Sequence, residues 1–214
     1  MAKVTKKEAA LILDKLAEAF PDARCELDHE NPFQLLIATI LSAQTTDKMV
    51  NRVTPDLFAA YPDYSSLAVA DTGRVEELIR NIGLYRTKAK NIIGASRLMM
   101  ENFDGQVPDN MKDLTSLPGV GRKTANVVLS NAFGLPAIAV DTHVFRVSKR
   151  IGLSAGKDVG QCEKDLQKLL ERSSWNRAHH LLIFQGRYIC KARGPLCSEC
   201  SIRDHCRFYQ AGDK

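Results

Sequence analysis

One lysine and one carboxylate stand beside sequence features that could make them catalytic. Lys123 follows the glycine-bracketed turn PGVG at residues 118–121, and Asp141 lies in the short stretch VDTH at residues 140–143. A neutral lysine amine is a nucleophile, and a carboxylate can move protons or steady positive charge. An amine and a carboxylate of this kind, next to a backbone that can grip phosphate, would suit chemistry on DNA.

The glycine turn is typical of two helices joined by a short hairpin. Gly119 and Gly121 permit backbone angles that other residues avoid, and they remove side chains that would keep a ligand away. The following run is apolar and helix-compatible, and the N–H groups at a helix N-terminus suit a phosphate. We therefore expect Gly119, Val120, Gly121 and Arg122 to contact DNA. The alternative is a purely structural turn in a helix bundle.

The two candidate catalytic residues each have a second interpretation. A cation in the first turn of a helix opposes the helix dipole, so a purely structural choice would rarely place a lysine there. Lys123 could nevertheless be a phosphate contact like Arg122, and the residue types alone favour that interpretation. Asp141 stands where the N-cap of a following helix belongs. Capping does not exclude catalysis, because it holds the carboxylate rigidly.

A cysteine-rich tail is the second feature that could do chemistry. Four of the six cysteines have the spacing C-x6-C-x2-C-x5-C near the end of the chain: Cys190, Cys197, Cys200 and Cys206. No export signal is visible, so we expect a cytoplasmic protein, in which such crowding indicates metal ligation and not disulfides. Four thiolates suit either a zinc ion or a four-iron cluster, and the spacing does not decide between them. Lys191 and Arg193, between the first two cysteines, could reach DNA phosphate.

The elements that must position these residues are predicted to be helices. Apolar residues recur at helical spacing along most of the chain, and strand alternation is almost absent, so we expect an all-α fold with about ten helices. The run PFQLLIATILSA is apolar on nearly every side, which places it in the middle of a helical domain. A break at residues 134–136 predicts two helical domains with a cleft between them. On periodicity alone, Gln44 is a polar helix end and Leu84 a core leucine.

Composition fits a globular protein with a polyanionic partner. The 214 residues are 44% hydrophobic and 26% charged, and no run is long and apolar enough to span a bilayer. The net charge of +5 is mildly basic. Its distribution says more, since basic side chains gather in four clusters that could follow a phosphate backbone: 80–97, 122–123, 146–150 and 187–207. Ordinary solvated surface is the alternative.

The stretch LPGVGRKTA, the VDTH that follows it and the cysteine spacing together resemble the endonuclease III family of the helix-hairpin-helix DNA glycosylase superfamily. The resemblance covers effectively the whole chain. It implies a base excision repair enzyme that removes oxidised or ring-saturated pyrimidines from duplex DNA and cuts the abasic site by β-elimination. It also implies a six-helix domain at 25–135 carrying the hairpin at about 109–133. A second domain would combine 1–24 with 136–214 and hold a [4Fe-4S] cluster, with zinc as the lesser alternative.

The same resemblance implies roles for individual residues. Lys123 matches the catalytic lysine, which forms a Schiff base with the sugar, and Asp141 matches the catalytic aspartate. Gln44 matches a residue that fills the gap left by a flipped base, and Leu84 matches a wedge pushed into the base stack. Arg146 is a candidate phosphate contact. We expect a monomer that acts on double-stranded DNA in the cytoplasm, at the nucleoid in a bacterium, without contact to a membrane.

Two other functions stay open at the level of sequence. An adenine mismatch glycosylase of the same superfamily would share the hairpin and the cluster. Enzymes of that kind lack a lysine at the position of Lys123 and usually carry a further C-terminal domain, whereas eight residues follow Cys206 here. A non-catalytic DNA-binding module would use the hairpin and the tail only to hold duplex.

Overall fold

The structure is a computed structural model that describes residues 4–212. Within this range the regular elements are helical and no strand is present, which confirms the predicted all-α class. The α-helices are α1 (Lys6–Ala19), α2 (Pro32–Ser42), α3 (Asp47–Ala60), α4 (Tyr64–Ala68), α5 (Thr72–Leu78), α6 (Tyr85–Asn102), α7 (Met111–Ser116), α8 (Arg122–Ala132), α9 (Thr142–Ile151), α10 (Val159–Leu169), α11 (Trp175–Phe184) and α12 (Arg207–Gln210). A π-helical turn, Gln185–Ile189, follows α11.

The chain divides into two compact units. One contains Cys25–Leu135, and we call it the hairpin unit; the other combines the residues up to Arg24 with those from Pro136 onward, and we call it the cysteine unit. The hairpin unit holds seven α-helices, one more than the six-helix domain implied by the resemblance, because the five-residue α4 stands apart from α5. None of the helices in residues 4–212 is long and apolar enough to cross a membrane.

Helix α2 is the centre of the hairpin unit. It begins where the Asn31 side chain accepts a hydrogen bond from the Gln34 backbone N–H, with Pro32 in the first turn. Every residue from Phe33 to Leu41 except Gln34 is buried, and the helix packs against α3, α6 and α8. Full burial of each large apolar side chain contributes about 1.5–3 kcal/mol. The prediction of a central apolar helix is confirmed.

The cysteine unit is built on α1, α9, α10 and α11. Its core contains Ile12, Leu16, Val144, Leu166 and Leu182, all at most 1% exposed. The tail joins this core, since Ile202 and Cys206 are buried in it. Arg207 at the start of α12 also donates to both carboxylate oxygens of Glu8 on α1, at 2.9 and 3.0 Å. The cysteine-rich segment is therefore packed onto the unit by its own side chains.

Candidate active site and metal centre

The hairpin between α7 and α8 depends on its two glycines for different reasons. Gly119 has φ +78, and a Cβ there would lie 2.9 Å from Asn91 Nδ2 and 3.1 Å from Ile40 Cγ2. Only glycine fits this position. Gly121 has φ −92, an ordinary extended conformation, and an added Cβ would meet nothing within 4 Å. The expectation that both glycines supply special backbone angles is therefore corrected: Gly121 only leaves space.

That space lies at the N-terminus of α8. Gly121 is the N-cap and makes no side-chain capping hydrogen bond, so no capping side chain covers the first-turn N–H groups. Arg122 and Lys123 follow at once, and both are exposed. Val120 turns inward instead: its side chain is buried and its N–H donates to the Leu117 carbonyl at 3.1 Å. An open helix N-terminus flanked by two cations suits a phosphate and leaves the lysine side chain accessible.

Asp141 is fixed at the beginning of α9. Its Oδ1 accepts a hydrogen bond of 2.7 Å from the Val144 backbone N–H, and its backbone is extended as at other N-caps. The capping predicted from sequence is confirmed. The residue is half-buried, and a carboxylate has a second oxygen that the cap does not use. Asp141 belongs to the cysteine unit and Lys123 to the hairpin unit.

Arg146, on the second turn of α9, is engaged within its own unit. Its guanidinium donates to the carbonyl oxygens of Gly186 at 2.9 Å and of Cys190 at 3.1 Å. A further contact of 3.2 Å joins it to Nδ1 of His143. These bonds tie α9 to the π-helical turn and to the first cysteine of the tail. The structure thus gives Arg146 a structural task, while its contact with phosphate stays a prediction.

The four tail cysteines line one cavity of the cysteine unit, together with apolar side chains such as Ile151 and Phe208. Burial raises the pKa of the Cys200 and Cys206 thiols, and the other thiols nearby raise it further. Thiolates here therefore need positive charge or donors close by. Gln185 Nε2 donates to Cys200 Sγ at 3.2 Å, and Arg150 donates to Cys190 Sγ at 3.4 Å.

The shape of this cavity bears on what it could hold. No three of the described Cys, His, Asp and Glu side chains converge as the ligands of one metal ion do. All four cysteines instead line one shared cavity. Both a zinc ion and a four-iron cluster can be held by four thiolates.

Arg150 also anchors the loop that begins after Cys190. Its guanidinium donates to the carbonyls of Lys191 at 2.6 Å and of Ala192 at 3.1 Å. Lys191 and Arg193 are exposed on this loop. The sequence marked Arg150 only as a member of a basic cluster and did not indicate its anchoring role. A single arginine therefore holds both a cysteine sulfur and the backbone that presents the two exposed cations.

Gln44 and Leu84 lie in neighbouring turns of the hairpin unit. Both have left-handed backbones, with φ +55 and +59, and both are exposed. A Cβ added to Gly83 would lie 3.8 Å from the Gln44 carbonyl oxygen, so the two turns are close. Leu84 is 63% exposed. The prediction of a core leucine from periodicity is therefore wrong.

One residue that sequence reasoning missed lies between these turns. Lys88 is only 4% exposed, and its ammonium donates three hydrogen bonds to the segment around Gln44. A signal for it was present: Lys88 stands four residues before Ile92 and one before Ala89, on the apolar face of α6. A lysine on such a face is either paired or functional.

The described arrangement can be compared with known proteins. Residues 37–172 match the family described as "HhH-GPD superfamily base excision DNA repair protein". The Endonuclease III of Synechocystis sp. is 51% identical over 207 residues, which are 96% of this chain and 94% of that protein. The Endonuclease III of Bacillus subtilis is 50% identical over 97% of this chain and 95% of its own length.

Solved structures give the same picture. A "Trapped Endonuclease III-DNA Covalent Intermediate" is 48% identical, with a TM-score of 0.92, and the match covers 98% of this chain and 99% of that one. A thermostable thymine-DNA glycosylase is 24% identical with a TM-score of 0.86 over 96% of this chain and 98% of its own, a likeness of fold alone.

Proposed function

The chain belongs to the endonuclease III family of HhH-GPD base excision DNA repair proteins, and from this premise we propose how its residues carry out the reaction. It is a bifunctional DNA glycosylase and abasic-site lyase. Its substrate is double-stranded DNA that carries oxidised or ring-saturated pyrimidines. A damaged base inside a duplex is out of reach of a side chain, so the nucleotide must leave the stack before the reaction.

Lys123 is the nucleophile of this proposal. Its neutral amine forms a bond to the sugar C1′ while the N-glycosidic bond breaks, and the electron pair leaves with the base, which takes up a proton. Opening of the sugar ring and loss of a proton from nitrogen give a Schiff base. This group acidifies the C2′ proton, and removal of that proton expels the 3′ phosphate by β-elimination. Water then releases the lysine.

Asp141 and the hairpin would assist this sequence of steps. The carboxylate steadies positive charge on the sugar and moves protons during base loss. The open N-terminus of α8, with Gly119, Gly121 and Arg122, would hold a backbone phosphate and so fix the register of the DNA. The observation that carries the proposal is the exposed Lys123 at this uncapped N-terminus. A relative captured as a covalent intermediate with DNA supports a nucleophile of this kind.

The four tail cysteines are the proposed ligands of a [4Fe-4S] cluster. Their shared cavity and the donors from Gln185 and Arg150 suit thiolate ligands of a metal centre, and membership of the family favours the cluster over a single zinc ion. A cluster there would fix the segment from Cys190 to Cys206 and, with Arg150, the loop that presents Lys191 and Arg193. Because the substrate is DNA and the relatives named above are bacterial, we place the protein in the cytoplasm, at the nucleoid.

A panel of duplex substrates tests the function. We expect the protein to release the base and cut the strand at thymine glycol, and to leave A·8-oxoguanine and G·T mismatches intact. Lys123→Gln should lose at least about a hundredfold in single-turnover rate on thymine glycol. Lys112→Gln, an exposed lysine on α7 of the same hairpin, is the matched control and should keep full activity. Removal of mismatched adenine without strand cutting would instead indicate the mismatch glycosylase.

A further inference from the structure

Two exposed residues of the hairpin unit are held in an unfavourable backbone conformation. Gln44 and Leu84 are two of three non-glycine residues with positive φ in residues 4–212, the third being Asp104. A left-handed backbone brings the Cβ of a non-glycine residue too close to the following carbonyl oxygen, which is unfavourable. Such strain persists only where the surroundings enforce it. Leu84 is 63% exposed, so burial of its own side chain does not supply the compensation.

The enforcing contacts come from Lys88. Its Nζ donates to the carbonyl oxygens of Leu41 at 2.9 Å and Ala43 at 2.6 Å, and to Thr45 Oγ1 at 3.0 Å. These acceptors lie on both sides of Gln44. The backbone N–H of Lys88 donates to the Leu84 carbonyl at 3.0 Å. This backbone bond is the first one of α6, whose N-cap is Leu84, so the Lys88 side chain fastens the segment around Gln44 to the first turn of that helix with all three protons of its ammonium.

Stability alone does not account for a charge at this place. Burial of an ammonium is unfavourable even when it is hydrogen-bonded, and an apolar side chain of similar size is often as stabilising. Burial also lowers the pKa of Lys88. Ala43 is exposed, so water could replace the ammonium at its carbonyl, whereas Leu41 is buried. The buried Lys88 ammonium therefore has an energetic cost, and its hydrogen bonds fix the position of the exposed turn at Gln44.

We propose that Lys88 is a positioning residue that holds Gln44 and Leu84 side by side, so that both enter the duplex when a nucleotide is extruded. This inference rests on the proposed function, because only an enzyme that extrudes a base needs such a pair. An apolar side chain can pry a base step apart, and a long polar one can occupy the space left by the base. Pre-set geometry lowers the cost of insertion, since the strained backbone is already in place.

The chemistry of the two steps provides the test. Extrusion of a paired base requires unstacking, whereas an abasic site has no base to extrude. Lys88→Met keeps the chain length and removes the charge. It should lower the single-turnover rate of base release from thymine glycol duplex by roughly tenfold or more. Cutting of a preformed abasic site should change by less than about threefold. Lys112→Met, an exposed lysine of the same unit outside the four basic clusters, should leave both rates unchanged.

A double variant separates positioning from a general structural effect. If Lys88 acts through Leu84, then Leu84→Ala should lower base release in the wild-type background and add little in the Lys88→Met background. Additive losses, equal losses on both substrates, or no loss in Lys88→Met would overturn the proposal. Thr45→Val removes one of the three acceptors of the ammonium. It should lower base release more than cutting of the abasic site, by a smaller factor than Lys88→Met, and it replaces that variant if Lys88→Met does not fold. Wild-type protein that is inactive on both substrates would refute the proposed function itself.

Discussion

Asp141 caps a helix and has a proposed catalytic role, and the two tasks need different properties of its side chain. Its Oδ1 caps α9 by accepting from the Val144 N–H, which needs an oxygen but no charge. Its proposed role in base loss needs the negative charge. Asparagine and aspartate are about equally good N-caps, so the two tasks can be separated by substitution.

Asp141→Asn should therefore fold normally and react slowly. We expect its free energy of unfolding to stay within about 0.5 kcal/mol of wild type, while base release falls roughly a hundredfold. Asp141→Ala should lose about 1 kcal/mol of stability in addition, because the cap is gone. Urea denaturation and single-turnover assays measure the two effects. Full activity in Asp141→Asn would show that the charge is not required.

The environments of two residues, Leu84 and Lys88, could not be predicted from the sequence. Periodicity placed Leu84 in the core, but it lies exposed in a turn with a positive φ, and a leucine in the sequence does not indicate that conformation. Lys88 was passed over because a lysine usually lies on the surface. Its acceptors come from residues 41–45, more than forty positions away, so only the fold reveals the bond.

At the scale of elements, the hairpin offers a matched pair of glycine substitutions. Gly121→Ala should lower the free energy of unfolding by no more than about 1 kcal/mol, because φ is negative and the space is empty, and alanine is only a poorer N-cap than glycine. It should weaken binding to abasic-site duplex by about fivefold, since a methyl group then stands where phosphate is proposed to lie. Gly119→Ala should instead destabilise by about 2 kcal/mol or more through strain and the clash with Asn91. Unchanged DNA affinity in a folded Gly121→Ala protein would contradict the proposed phosphate site.

The proposed cluster on the four tail cysteines predicts how the iron content changes when one of them is replaced. Cys197→Ser should lower the iron content of the purified protein together with its broad visible absorbance. DNA affinity should fall as well, because the loop with Lys191 and Arg193 loses one of its fixed ends. Cys25→Ser, in the hairpin unit, is the matched control and should keep the iron.

The metal found in the purified protein decides between a [4Fe-4S] cluster and a zinc ion on the four tail cysteines. Iron with matching inorganic sulfide supports the cluster. A colourless wild-type protein that contains zinc would contradict the cluster and indicate a tetrahedral zinc site instead.

Most helices could be predicted from the sequence, but several of their ends could not. The α2 run is apolar on nearly every side and its start at Pro32 is marked by Asn31, so its position follows directly. The start of helix α6 at Tyr85 has no such mark, because its N-cap is Leu84, which makes no side-chain capping hydrogen bond. The end of α11 passes into a π-helical turn that leads to Cys190, and no local residue pattern announces that change.

At the scale of the whole molecule, the identification depended on three separated motifs. The hairpin, VDTH and the cysteine spacing are each weak signals, but together they pointed to one family along the whole chain. The relatives then matched over nearly all of its length. The motifs did not indicate the hydrogen bonds that hold the site residues in position. These are the bonds from the Lys88 ammonium, from Arg150 to its loop and from Arg146 to the π-helical turn. All of them are long-range bonds between side chains and backbone carbonyls.

The central claim is that Lys123 forms a covalent bond with the sugar. Borohydride reduction during reaction with an abasic-site duplex, followed by mass spectrometry of the digested adduct, tests it most directly. The account predicts one cross-linked peptide with the DNA attached to Lys123, and no adduct in Lys123→Gln although that variant still binds the duplex. An adduct on another lysine, or strand cutting by wild-type protein without any adduct, would contradict it.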